Sequence, residues 1–184
     1  MTQFLIHSVK TIFKLVFIIS YCGLQGLIAD EPPSWSGFTR ISANKLFTAK
    51  VSQKPKAKNY QSDWILTVSR KGKVLWSCPF EYRFGYPGGI LTDDGNYFIT
   101  VEVWYYKDLP LVDIYKDGRK INTNHLTGES FSSDSKFLHS TTSHFLWFNQ
   151  SDYYRINLKE NTITLITLDK KEHKIKLNTG EIQK

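Results

Sequence analysis

The chain has 184 residues, a formal net charge of +7 and 15% aromatic residues, enough for one domain of ordinary size with a real core. Its basic residues are scattered, apart from 50–58 and 170–176, so they do not form the single charged face or helix of a nucleic-acid binder. No nucleic-acid partner is expected.

The first 29 residues differ from the rest. Lys10 and Lys14 are the only charges before Asp30, and Ile12 to Ala29 is mostly Ile, Phe, Leu and Val, loosened by Gly23 and Gly26. A basic start, a short apolar run and the small Ala29 predict a signal peptide over 1–29, cleaved after Ala29. The run is near the lower limit for a membrane span and is interrupted by Lys14 and Gln25. Two alternatives stand beside it. An uncleaved leader would anchor the chain and make its membrane contact; lipid attachment at Cys22 is disfavoured by the bulky Tyr21 before it. Each places the protein outside the cytoplasm, as periplasmic, envelope-bound or secreted. Loss of the leader takes the charge from +7 to +5 and leaves Cys78 without a disulfide partner. In "WSCPF" that thiol reads as a small buried hydrophobe, not a nucleophile.

Residues 30–37, "DEPPSWSG", form a Pro-rich segment ahead of a single domain over 38–184. Helix signals are few there, while β-branched and aromatic residues are frequent. Strands are predicted over 46–51, 64–69, 73–78, 97–104, 111–115, 137–142, 145–148, 153–158, 162–168 and 174–177. "KVSQKPKAKNYQSD" reads as a solvated loop in which Pro55 blocks regular structure, and "LDKKEHKIKL" as an edge whose lysines discourage strand pairing. Turn signals separate the strands: "RKGK", "YPGG", "TDDGN", "KDGRK", "SSDSK" and "KENT". The Lys-Gly pair and Asp117-Gly118 supply the positive φ that two-residue hairpin loops require. Many short strands with regular turns predict an all-β antiparallel domain.

A repeat runs through it. Thr92 to Phe98, "TDDGNYF", aligns with "SSDSKFL" forty residues later, and less well with "SANKLF" at 42–47, where one position is missing. "WILTVSRKGKVLW" and "LVDIYKDGRKI" both follow as strand, turn and strand. About three units of 40–50 residues predict propeller-blade-like sheets in a partial or distorted array. "TDDGNYFITVEVW…LVDIYKDGRKI" resembles the repeats of exported bacterial β-propeller-like proteins of the TolB and WD40-like kind. The resemblance is strong over 90–121, moderate over 131–168 and faint over 38–76, and it implies architecture without one activity.

Candidate chemistry is sparse. Asp93 and Asp94, with Gly95, are expected to shape a turn, their carboxylates taking backbone amides one or two residues on. The competing reading is a hydrolase-like site pairing either aspartate with His125 or His144. No metal is expected, because His139 and His144 lack ligands at metal spacing, and no cofactor cradle is present. Ser-rich stretches lack a nucleophile motif. The best binding candidates are the aromatics Tyr86, Trp104, Tyr105 and Tyr106, against the alternative that Trp104 fills the core and the tyrosines pack on neighbouring strands. A strand over 97–104 continuing into Tyr105 and Tyr106 would point these two to opposite faces. The expected function is an exported, non-catalytic binding or assembly module with a protein or glycan partner, or one half of a homodimeric propeller.

Overall fold

Strict two-residue alternation builds the first sheet. In the computed structural model, which describes residues 36–55, 63–83, 88–131, 138–140, 145–148 and 151–183, four strands follow in chain order. They are β1 (Phe38–Ile41), β2 (Phe47–Gln53), β3 (Trp64–Arg70) and β4 (Lys73–Phe80), paired antiparallel as β1-β2-β3-β4. Phe47, Ala49 and Val51 of β2 and Trp64, Leu66 and Val68 of β3 are buried. Between them Thr48, Lys50, Ser52, Thr67 and Ser69 face the other way and reach solvent. One face is core; the other reaches solvent and is mixed, with Ile41, Ile65 and Val74 among the polar residues.

The second sheet is buried on both sides. It consists of β5 (Gly88–Leu91), β6 (Tyr97–Val101), β7 (Val112–Lys116) and β8 (Arg119–Lys120), again in sequential order. All five residues of β6 are buried, and so are four of β7. Phe98 and its partner Tyr115 pack with the first sheet, where Phe80 stacks on Tyr115 at 5.5 Å. Tyr97, Ile99, Val101, Val112 and Ile114 join a different core cluster on the opposite side.

That second cluster is completed from the C-terminal half. A four-residue helix α1 (Gly128–Phe131) and a two-stranded ladder of β9 (His139–Ser140) and β10 (Phe145–Leu146) precede the third sheet. The latter runs β11 (Tyr154–Asn157), β12 (Thr162–Ile166), β13 (Glu172–Lys176) and β14 (Ile182–Gln183). Ile163, Leu165, Ile175 and Leu177 are buried in it, with Trp147 and Phe148 in the same cluster. The Trp147 indole N–H donates to the Glu102 carbonyl at 2.8 Å, fixing the link between the ladder and the second sheet. The described residues thus form mostly antiparallel β-structure with three four-stranded sheets, none of which closes on itself.

Two turns share one chemistry. Ser42 and Thr92 each donate a hydroxyl hydrogen to the residue two further on, Asn44 at 2.7 Å and Asp94 at 2.6 Å. Each hydroxyl also accepts the backbone N–H of the next strand's first residue, Phe47 at 3.1 Å and Tyr97 at 3.0 Å. Lys45 and Gly95 then take positive φ, 60° and 73°. The six residues from Ser42 to Phe47 therefore match Thr92 to Tyr97 one for one, and the missing position in the sequence alignment closes. The two turns are also bonded together: Asn44 N–H donates to the Asp93 carboxylate and its side-chain amide to the Asp93 carbonyl, both at 2.7 Å. Residues 132–137 of the third repeat copy lie outside the described residues, as do 56–62 of the Pro55 loop.

Some strand bounds differ from expectation. β6 stops at Val101, and beyond it Trp104 forms an isolated bridge to Leu146. Glycines 88 and 89, expected in a turn, belong to β5. β2 runs on to Gln53, into the stretch read as loop. The short edge strands β1, β5, β8 and β14 carry too few alternating apolar residues to stand out in a sequence.

Gly95 and Gly72 separate backbone strain from packing. Both have positive φ, but a Cβ on Gly95 would enter the Phe47 ring, whereas one on Gly72 meets nothing within 4 Å. In urea unfolding, Gly72→Ala is expected to cost about 1–2 kcal/mol from φ alone. Gly95→Ala is expected to cost about 2–4 kcal/mol, because overpacking adds to the strain. Equal losses would mean that the Phe47 ring yields freely.

Candidate functional site

The first strand of each four-stranded sheet is an edge strand, paired on one side only. β1, β5 and β11 all border one cavity of about 560 Å³, a volume in the range of small-ligand sites. Ile41 comes from β1, Gly89, Ile90 and Leu91 from β5, and Tyr154, Arg155 and Ile156 from β11. Thr92 and Asp93 of the shared turn and Leu158 complete much of the wall. Large apolar groups stand open here: Ile41 is 62% exposed, Tyr154 38% and Leu158 37%. Exposed apolar side chains gathered at one concavity mark a contact surface more than singly scattered ones do.

Most of the polar lining is engaged or neutral, while Asp152 adds an exposed carboxylate. Asp93 holds the Asn44 amide, and Arg155 is ion-paired with Glu172. Tyr153 packs on Phe148 with ring centroids at 4.5 Å, and burial pushes its hydroxyl up to about 12. It therefore stays a neutral donor and acceptor at physiological pH. Such a wall can grip a ligand by apolar contact and neutral hydrogen bonds.

Sequence-selected residues are distributed elsewhere. The Asp94 carboxylate takes the Thr92 hydroxyl, the Asn96 backbone N–H at 3.0 Å and the Asn96 side-chain amide at 2.9 Å. His125 is bonded through Nε2 to the Gly180 carbonyl at 3.0 Å, and His144 and Tyr86 lie outside the described residues. Asp117 and Gly118, with φ of 46° and 82°, make the two-residue turn between β7 and β8. Cys78 is buried, and desolvation pushes its thiol up to about 11, so it is protonated at neutral pH. Among the described residues no three His, Cys, Asp or Glu side chains cluster as metal ligands.

Trp104, Tyr105 and Tyr106 do not line the cavity. They follow the end of β6 remote from the 92–96 turn, given that Leu91 pairs with Phe98 and Gly88 with Val101. Because β6 stops at Val101, Tyr105 and Tyr106 do not alternate between opposite faces; both are half-buried against the core. The Tyr105 N–H donates to the Phe145 carbonyl at 2.8 Å, and its ring covers Gly128.

A buried charge cluster lies at that same end and carried no motif in the sequence. Asp113 is buried and receives Arg83 Nη2 at 2.8 Å, the Thr123 hydroxyl at 3.1 Å and Lys120 Nζ at 3.3 Å. Lys120 also pairs with Glu81, and Arg83 Nη1 donates to the Pro110 carbonyl at 3.1 Å. Glu102 is buried near this group. Desolvation, and then the Asp113 charge, push its carboxyl up to about 8 against the pull of Arg83. The one available signal was a lone Glu inside the apolar run "ITVEVW".

No protein-family profile, curated protein or solved structure matches the chain. Its function has to be reasoned from its own geometry.

The Glu102 environment gives a pH dependence of definite sign. A carboxyl whose folded pKa lies above its unfolded value of 4.5 adds stability that is complete below 4.5 and is lost as pH rises through about 8. Between those values, wild-type stability is expected to fall by up to about 1.4 kcal/mol per pH unit relative to Glu102→Gln. Urea unfolding of both proteins at pH 5, 6.5 and 8 checks this; parallel pH profiles would refute it.

Proposed function

We propose that the chain is an exported, non-catalytic binding or assembly module whose sheets fan like the blades of a partial propeller around the cavity, where it meets a protein or glycan partner. The observation that carries this reading is that the first strands of all three four-stranded sheets border one cavity. In a propeller the blades are four-stranded sheets arranged about a central channel. Each sheet here is a sequential antiparallel meander, and neighbouring sheets pack through apolar side chains on their facing sides. The binding role follows from the open apolar groups Ile41, Tyr154 and Leu158 at the cavity. A non-catalytic reading is supported by the bonds of Asp94 to the Asn96 N–H and of His125 to the Gly180 carbonyl; His144, the other histidine of the hydrolase-like pairing, lies outside the described residues. Export is supported by the leader-like composition of 1–29.

Crosslinking of the chain in its native extracytoplasmic setting tests the site. Wild type is expected to capture a partner that Ile41→Lys with Leu158→Lys loses by at least about tenfold, a difference of about 1.4 kcal/mol. The surface control Val74→Lys, at an exposed position of β4, should capture normally. Capture insensitive to the cavity substitutions would overturn the assignment. Mass spectrometry of the purified protein should find a mature chain starting at Asp30.

A further inference from the structure

The cavity meets its strands edge-on. Successive side chains of a strand point to opposite faces, so a space lying over one face touches every second residue. Here three consecutive residues of β5 and three of β11 border the same space. The space therefore lies off the strand edges, where backbone groups point.

Which groups point there follows from the ladder. In an antiparallel pair, residues alternate between those bonded to the partner strand and those whose N–H and C=O face away. The Ile166 N–H donates to the Tyr153 carbonyl at 2.8 Å, so Tyr153 is bonded to the β12 side. Tyr154 and Ile156 then direct their N–H and C=O to the edge of β11 that no other described strand pairs. The same reasoning applies to β5, where the Thr92 N–H donates to the Tyr97 carbonyl at 3.1 Å, leaving Leu91 facing outward.

β11 is the most open of the three edges. Three of its four residues are exposed, whereas half of β5 is buried. Tyr154 and Ile156 share one face of the strand, and their cross-strand partners Leu165 and Ile163 are core residues. The apolar face of the third sheet thus runs past the core and emerges at the edge beside unpaired backbone. An unpaired ladder with apolar side chains at two-residue spacing is the template that an extended peptide completes. A sugar can bond one or two such groups through its hydroxyls, but an extended peptide matches the two-residue repeat of the whole row.

We infer that the partner is a protein, and that it contributes an extended peptide which adds as a strand along the free edge of β11, its alternate side chains lying towards Ile41 and Leu158. This rests on the cavity being the binding site, and it names what binds there. Recognition would be mainly backbone-directed, so the bound sequence needs β-branched or apolar residues at every second position and no proline opposite Tyr154 or Ile156.

The test uses phage-displayed random nonapeptides selected on the full chain, with the best binder then synthesised. Tyr154→Val removes the ring but keeps the N–H, whereas Tyr154→Pro also removes the N–H. Proline is tolerated on an edge strand where that N–H makes no ladder bond, and circular dichroism checks that the variant folds. Strand addition predicts that Tyr154→Pro binds the peptide at least about tenfold more weakly than Tyr154→Val. It also predicts that N-methylation at alternate peptide amides abolishes binding while the intervening amides tolerate it. That methylation series decides the matter should Tyr154→Pro fail to fold. Equal binding by the Val and Pro variants, or methylation without a two-residue pattern, would overturn strand addition. If Ile41→Lys with Leu158→Lys still weakened binding in that case, the cavity would stand as the site. Failure to enrich any peptide, or cavity-dependent binding on an oligosaccharide array instead, would also overturn it. Peptide binding untouched by the Ile41 and Leu158 substitutions would remove the cavity itself.

Discussion

Burial of the second sheet on both faces is the constraint on which the rest depends. β6 has no solvent-facing side, so its ladder partners β5 and β7 are confined to its two edges and other sheets must cover its two faces. Phe98 and Tyr115 commit one face to the first sheet, while Tyr97, Ile99, Val101, Val112 and Ile114 commit the other to the cluster shared with the third. Moving β6 by one residue in its register would exchange these two sets and unmake both interfaces. The outer sheets, free on one side, carry no comparable restriction.

That middle position also accounts for the bonded turns and the buried charges. At one end the Asp93 carboxylate and carbonyl hold Asn44, so the first sheet cannot pivot away from the second without opening two hydrogen bonds. At the other end Arg83, which follows the first sheet in sequence, reaches Asp113 on β7. Hydrogen bonds to a charged group inside a dry interface are stronger than exposed ones, and losing one partner leaves the other unsatisfied. Packing brings the sheets together, and these polar contacts at both ends set how they are aligned.

The sequence exposed this organisation where local chemistry was strong. Asp117-Gly118 and the Lys71-Gly72 pair mark hairpin turns because their positive φ restricts which residues serve. The strand through "YFITVEVW" was legible, although its burial on both faces was not. Short edge strands such as β1 and β5 were not legible, since their pairing comes from the neighbouring strand rather than from their own composition. In "TDDGN" the Asp94 carboxylate takes the Asn96 N–H two residues on, whereas the Asp93 carboxylate does not take a local amide but bonds another turn across 49 residues. The cavity was equally invisible. It is made from the edges of three strands far apart in the chain, and none of Ile41, Leu91 or Tyr154 carries a motif.

The polar outer rows of the first sheet have a further meaning. Thr48, Lys50, Ser52, Thr67 and Ser69 all project away from the core. Burying these hydroxyls and the ammonium under another apolar sheet would cost desolvation without new partners. Ile41, Ile65 and Val74 stand on the same face as single apolar side chains among them. An added sheet on that side would need Thr48, Lys50, Thr67 and Ser69 recast as apolar residues, so the boundary of the fold there is set by a few outward-facing side chains, open to redesign without disturbing the interior.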